Sequence, residues 1–138
     1  MHAEVSMIAL REERMADHFV KHHVEGLPAA AVFHRFSQVD HGDPHDHPWS
    51  FTSFVVHGGY VEQVFQLDGS SELIHREPGQ SFYIPAKHIH RIVDLPAGEC
   101  TTIILPGPHE QTSGFYQFRE GRAWHRFWDQ ADFQRIAR

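Results

Sequence analysis

Ser50-Phe-Thr-Ser-Phe-Val-Val-His57, then Gly58-Gly59, then Tyr60-Val-Glu-Gln-Val-Phe-Gln-Leu67 is the stretch from which the fold class can be read. Two short runs of β-branched and aromatic residues flank a pair of glycines. Such side chains suit a pleated surface, and the glycines suit the turn between two strands. The pattern repeats outward on both sides. Ala30–Phe36, Glu72–Arg76, Ser81–Pro85, Ile89–Leu95, Cys100–Leu105, Phe115–Phe118 and Ala123–Phe127 are further strand-like runs. Turn signals separate them at His41–Pro44, Asp68–Ser71, Glu77–Gln80, Pro85-Ala86, Pro96–Glu99, Pro106–Pro108, Ser113-Gly114 and Glu120-Gly121. Short strands at this spacing predict an all-β protein of two antiparallel sheets, a sandwich or barrel. Helix is expected only at the ends: Ser6–Val20, with Ser6 as N-cap, and Asp129–Arg138, with Asp129 as N-cap.

The 138 residues suit one domain with one core. No apolar run approaches the roughly 20 residues needed to cross a bilayer, so no membrane association is expected. The first residues lack a basic start followed by an apolar run, and Cys100 has no second cysteine to pair with. A reducing, cytoplasmic setting is the expectation. A formal charge of -6, with no basic stripe, argues against nucleic acid as a partner.

Fourteen histidines are the unusual feature. Near neutral pH they offer imidazole nitrogens to a metal or a proton rather than fixed charge. Two His-x-His patterns are about what chance yields at this frequency, so the pattern alone carries little. Two segments gain weight because their spacings agree with each other: Gly42-Asp-Pro-His45-Asp-His47-Pro-Trp49 and Gly79-Gln-Ser-Phe-Tyr-Ile-Pro85-Ala-Lys-His88-Ile-His90.

Together they resemble the two motifs of the cupin superfamily of small jelly-roll barrels. His45, His47 and Gly58 fit the first motif, and Gly79, Pro85 and His90 the second. The resemblance covers about Val32 to Leu105 and implies one cupin domain over residues 1–138. The segments HDHPW and HGGY also resemble a family of small bacterial and phage single-domain cupins. There are departures. Phe51 or Thr52 stands where the pattern expects a glutamate, Lys87 replaces a glycine, and Asp94 replaces an asparagine. What remains is a three-histidine set, His45, His47 and His90, which resembles the centres of the thiol and diketone dioxygenase branches.

The set is physically reasonable, because residues two apart on a strand share a face. Three neutral imidazoles suit a divalent transition metal, Fe, Zn, Ni, Mn or Cu, and leave positions open for water or substrate. Around them, His88 is expected at the rim or behind the ligands. Glu62 supplies the missing carboxylate if its strand bends back over the site, and otherwise lies at the surface or behind a ligand. Trp49, Phe51 and Tyr83 line a pocket or fill the core, and Ser53 shares the parity of His45 and His47. Arg91 is expected to pair outside with an acid such as Glu62, His57 to serve a turn, and Cys100 to be a buried, inert thiol. His34 and Arg35 face opposite sides of one strand, in an order left open.

Two functions follow as expectations. One is a metalloenzyme, dioxygenase-like or isomerase-like, acting on a small polar molecule. The other is a non-catalytic cupin that binds a small ligand or has a degenerate site. The aromatic tail with Trp124, Phe127, Trp128 and Phe133 either covers the barrel's own core or builds a homodimer contact.

Overall fold

All nine strand-like runs are strands in the computed structural model, which describes residues 9–25 and 31–136. They are β3 (Ala31–Phe36), β4 (Trp49–His57), β5 (Tyr60–Phe65), β6 (Ser71–Arg76), β7 (Ser81–Ile84), β8 (Ile89–Asp94), β9 (Cys100–His109), β10 (Gly114–Arg119) and β11 (Arg122–Phe127). Three more complete the set: β1 (Ala9–Ala16), β2 (Phe19–Glu25) and β12 (Gln134–Arg135). One layer is a six-stranded sheet in the order β1-β2-β3-β9-β4-β7. Across from it lie two three-stranded pieces, β6-β5-β8 and β10-β11-β12. Every strand pair among the described residues is antiparallel.

Both predicted helices are absent from the described residues. Ser6 lies outside them, but from Ala9 onward the chain forms an antiparallel hairpin, β1 with β2. Two of the apolar residues that a helix would have buried stay in water, Leu10 65% and Met15 51% exposed, while on β2 Phe19 is half-buried and Val20 buried. Their spacing never made a continuous stripe, whereas pairing lets β2 add its backbone hydrogen bonds to β3. Arg11 donates to Glu25 at 2.9 Å and His23 meets Glu13 at 3.0 Å across the hairpin. The charges on β1 also keep this edge from templating further strands. At the other end, the helix expected over Asp129–Arg138 is a turn followed by β12, which pairs with β11. The Gln130 side chain accepts from the Phe127 amide there, and its carbonyl accepts from Arg126. Residues 137–138 lie outside the described part. The turn expected at Pro106–Pro108 is likewise strand. Prolines are tolerated because β3 has already ended its pairing with β9 at Ile104.

Alternation along β4 builds the interior. Phe51, Ser53 and Val55 are buried while Phe54 and Val56 face out. Val55 packs with Tyr60, Ile92 and Cys100, joining both layers in one cluster. Phe51, Ile84 and Ile104 form a second cluster on the six-stranded sheet. Gly58 makes the tight link from β4 to β5 at φ +82°, where a Cβ would overlap the backbone oxygen of Glu99. Gly79 has a similar φ of +90° with open space around it. Gly58→Ala should therefore cost at least about 2 kcal/mol in urea unfolding, and Gly79→Ala only about 1 kcal/mol. Equal losses would mean that the chain shifts to relieve the Glu99 overlap.

Candidate metal centre

His45 ties the second layer together. Its backbone bridges His90 of β8 on one side and Phe115 of β10 on the other. The His45 amide donates to the His90 carbonyl at 2.9 Å, and the His90 amide returns the bond at 3.0 Å. The His47 amide donates to the Ala86 carbonyl at 3.0 Å. Between them Asp46 points the opposite way. Its carboxylate accepts from the Gly114 amide at 2.8 Å and from the Tyr116 hydroxyl at 2.7 Å. This anchor holds the extended parity of the segment, so both neighbouring imidazoles turn inward.

The inward rings meet the His90 ring. Ring centres are 5.4 Å apart for His45 and His47, and 4.9 Å from each to His90. One ligand nitrogen from each lies within 4.8 Å of the others. Burial, then the neighbouring His90 ring, pulls His45 down to about 4, and burial holds His47 well below the ordinary histidine value. These rings border a cavity yet are densely surrounded by protein, so they stay neutral and keep a lone pair available. His47 Nδ1 is buried without a hydrogen-bond partner. An unpaired buried nitrogen is costly, and a metal ion at the cluster would use the ring's remaining electron pair. The donor set fits a divalent transition metal.

Glu62 was expected either at the surface or behind a ligand; its side chain is fully buried and takes the second place. Oε1 accepts from His88 Nε2 at 2.5 Å and from His90 Nδ1 at 3.2 Å, and Oε2 accepts from Arg76 Nε at 3.0 Å. Burial pushes this carboxyl up, but the hydrogen bonds from His88 and His90 outweigh it and hold the group below the usual carboxylate range. A carboxylate only accepts, so His90 Nδ1 carries the proton and Nε2 keeps the lone pair. Carboxylate, imidazole and metal site thus form the relay that orients a ligand histidine. Glu62, His88 and His90 also lie close enough to form a second possible metal group. Their hydrogen bonds already satisfy that group. Arg91, expected to pair with Glu62, instead donates to Gln63 at 3.1 Å, and Arg76 takes the carboxylate. Strand parity placed Arg91 correctly on the outside, but the register of β5 on β6 selects its competitor.

A cavity of about 230 Å³ adjoins the three imidazoles. Trp49, Phe51 and Ser53 line it, in line with their shared parity with His47. Phe51 meets the His47 ring edge-on with centres 5.0 Å apart. Tyr83, expected near the pocket, is 59% exposed on the outer face of β7. Of the pair left open, His34 faces inward and is buried, while Arg35 is exposed. Burial, then Lys21 and His23, lowers His34 to about 3. Cys100 is fully buried and pushed up to about 11 by burial, an inert thiol. His57 sits at the exposed end of β4 beside Glu99, as a turn residue should.

Several residues at the site were not singled out from sequence. The opposite parity of Asp46 was a usable sign that it points away from the metal cluster. Arg76, Asp40, Thr102, Phe19 and Lys21 gave no local signal, because their places depend on which strands pair. Phe19 belonged to the predicted helix, and Lys21 lay just beyond its end.

No protein-family model matches this chain, and no curated protein matches it. Among solved structures it is similar to hydroxypropylphosphonic acid epoxidase from S. wedmorenis, with a TM-score of 0.55, 12% identity and 71% of this chain covered. It is also similar to Lactobacillus farciminis oxalate decarboxylase in a formate complex, with a TM-score of 0.59, 17% identity and 80% coverage. Bacillus subtilis oxalate decarboxylase with Mn(II) centres gives a TM-score of 0.58, 19% identity and 80% coverage. This chain spans 55% of the epoxidase chain, 35% of the Lactobacillus enzyme and 32% of the Bacillus enzyme. Drosophila melanogaster CENP-C bound to CAL1 is also similar, with a TM-score of 0.58, 10% identity and 74% coverage. The sheet order, the placement of both histidine segments and these similarities agree: the chain has the cupin fold, with a histidine cluster at its cavity whose spacing could hold a metal ion.

Proposed function

We propose that this cupin holds a divalent transition metal through His45, His47 and His90 and uses it on a small molecule bound in the adjoining cavity. The convergence of three imidazoles beside a cavity carries this reading. The epoxidase and the Mn(II) oxalate decarboxylase are similar folds that support a metalloenzyme. A bound metal would act as a Lewis acid or redox centre, dioxygenase-like or isomerase-like. The chain's own work is to fix the ligands. Glu62 sets the His90 tautomer, Asp46 sets the direction of His45 and His47, and the Trp49 and Phe51 rings limit water at the cluster. A homodimer in a reducing cytoplasm belongs to the same proposal. Exposed Phe127 and Trp128, 40% and 63% accessible, are the apolar surface such a contact would cover.

Metal content of protein purified without an affinity tag tests the reading. His45→Ala, His47→Ala and His90→Ala should each lower bound metal by at least about tenfold while the strand signal in circular dichroism persists. Undiminished metal in all three variants would remove the site. With Fe loaded, nitric oxide or azide should change the spectrum of an open metal face. Loaded metal without any such response would assign the chain to the non-catalytic, ligand-binding class.

A further inference from the structure

The cavity has a second polar feature, on the wall formed by the six-stranded sheet. Lys21 on β2 pairs with His34 on β3, and His34 pairs with Thr102 on β9. Directly paired residues share a face of the sheet, so the three make one row, and all three line the cavity. Thr102 is 2% exposed, and its Oγ1 has no hydrogen-bond partner. Lys21 forms no ion pair among the described residues, since its register partner Glu13 binds His23 at 3.0 Å. Phe19 and Phe36 flank this row with ring centres 4.5 Å apart, while Trp49, Phe51, Ile92 and Ile104 add apolar wall. Among the lining residues Asp40 is the one acid. Its Oδ2 accepts from the Ile92 amide at 2.8 Å.

From this row we infer that the cavity binds a small organic carboxylate, its anionic end on Lys21 and Thr102 and its apolar body among the Phe19, Phe36 and Phe51 rings. The inference rests on the cavity being the working site and names the class of molecule that it takes. A half-buried ammonium and an unsatisfied buried hydroxyl both gain from an anionic acceptor, and neither gains from an apolar occupant. The aromatic walls favour a carboxylate with a hydrocarbon or aromatic body over a small, wholly polar molecule. At about 230 Å³ the space is below the usual range for drug-sized ligands, which limits the occupant to a compact molecule. Lys21 and Thr102 stand on the six-stranded sheet and His90 on β8 of the other layer, and all three line the one cavity, so a molecule held by Lys21 can reach toward the histidine cluster.

Benzoate, benzamide and inorganic phosphate are suitable calorimetric probes, used on protein as purified and again after chelation. Benzoate should bind in both states, at least tenfold tighter than the neutral benzamide. Lys21→Gln should weaken benzoate at least tenfold and leave benzamide unchanged, and Thr102→Val should weaken benzoate about fivefold. Unchanged melting temperatures in both variants would exclude unfolding as the cause, and Thr102→Ser should restore binding if the hydroxyl is what matters. Equal binding of benzoate and benzamide would overturn the inference. So would phosphate binding tighter than benzoate, or benzoate binding that needs metal and ignores Lys21→Gln. Because the chelated arm contains no metal, failure of the metal reading leaves this measurement intact, and failure here leaves the metal assay intact.

Discussion

Glu62→Ala should cost about 3 to 5 kcal/mol of stability, the range for removing one partner of a buried charge pair. It should also weaken metal binding by about 10- to 100-fold, as expected when the partner behind a ligand histidine is lost. Both effects come from one carboxylate. Glu62 is fully buried and satisfies His88, His90 and Arg76 at once, with the Arg76 side chain only 17% exposed over the Phe82 ring. Removing it strands a guanidinium and frees His90 to adopt the other tautomer. Glu62→Gln separates the two losses. Its amide keeps the volume and can still accept from His90, but it cannot neutralise Arg76. Urea unfolding of the metal-free variants should place Gln between Glu and Ala, and a chromophoric chelator competition should show the same order for metal. Wild-type metal affinity in Glu62→Ala would mean that His90 is oriented by packing alone.

Metal-free protein should lose stability steeply as pH falls from about 6.5 toward 4. Burial lowers His34 to about 3 and His45 to about 4 in the folded state, while in the unfolded chain each titrates near its ordinary value of about 6.5. Below pH 6.5 the unfolded chain takes up these protons and the folded chain does not, so acid favours unfolding. Their contribution is fully present above 6.5 and disappears as pH falls toward the folded values. Two such groups together amount to about 3 kcal/mol per pH unit, large against a total of about 5 to 15 kcal/mol. Glu62 acts in the same sense from its ordinary value of about 4.5 downward, because its folded value is also lowered. Urea midpoints measured every half unit of pH between 7 and 4 check this. Flat midpoints from pH 7 to 5 would show that the buried rings protonate without loss of fold.

Much of the site was legible because its signals are local. The period-two alternation from His45 through Val55 depends only on an extended chain, so His47, Phe51 and Ser53 could be assigned to one face before any partner strand was known. Proline and glycine mark turns for equally local reasons, and all nine strand-like runs are strands. The helix expectations failed where local preference was weakest. Ala9–Ala16 has neither a clean apolar stripe nor clean alternation, and the backbone of β2 found its partner in β3, outside that window. That change of state carried Phe19 into the cavity wall, and β2 brought Lys21 there with it.

By itself the sequence determined an all-β chain, the strand positions from Ala31 to Phe127, the common face of His45 and His47, and a resemblance that proposed His90 as their third partner. Only the tertiary structure decided that Glu62 lies behind His90 rather than at the surface, and that Arg76 rather than Arg91 neutralises it. It also decided that Lys21, His34 and Thr102 form one row across three strands. The physical reason is register. Side-chain direction along a strand repeats every two residues and can be read locally, whereas the neighbour across a ladder depends on pairing between segments as distant as Lys21 and Thr102, settled by the backbone hydrogen bonds and shared core of the whole sheet.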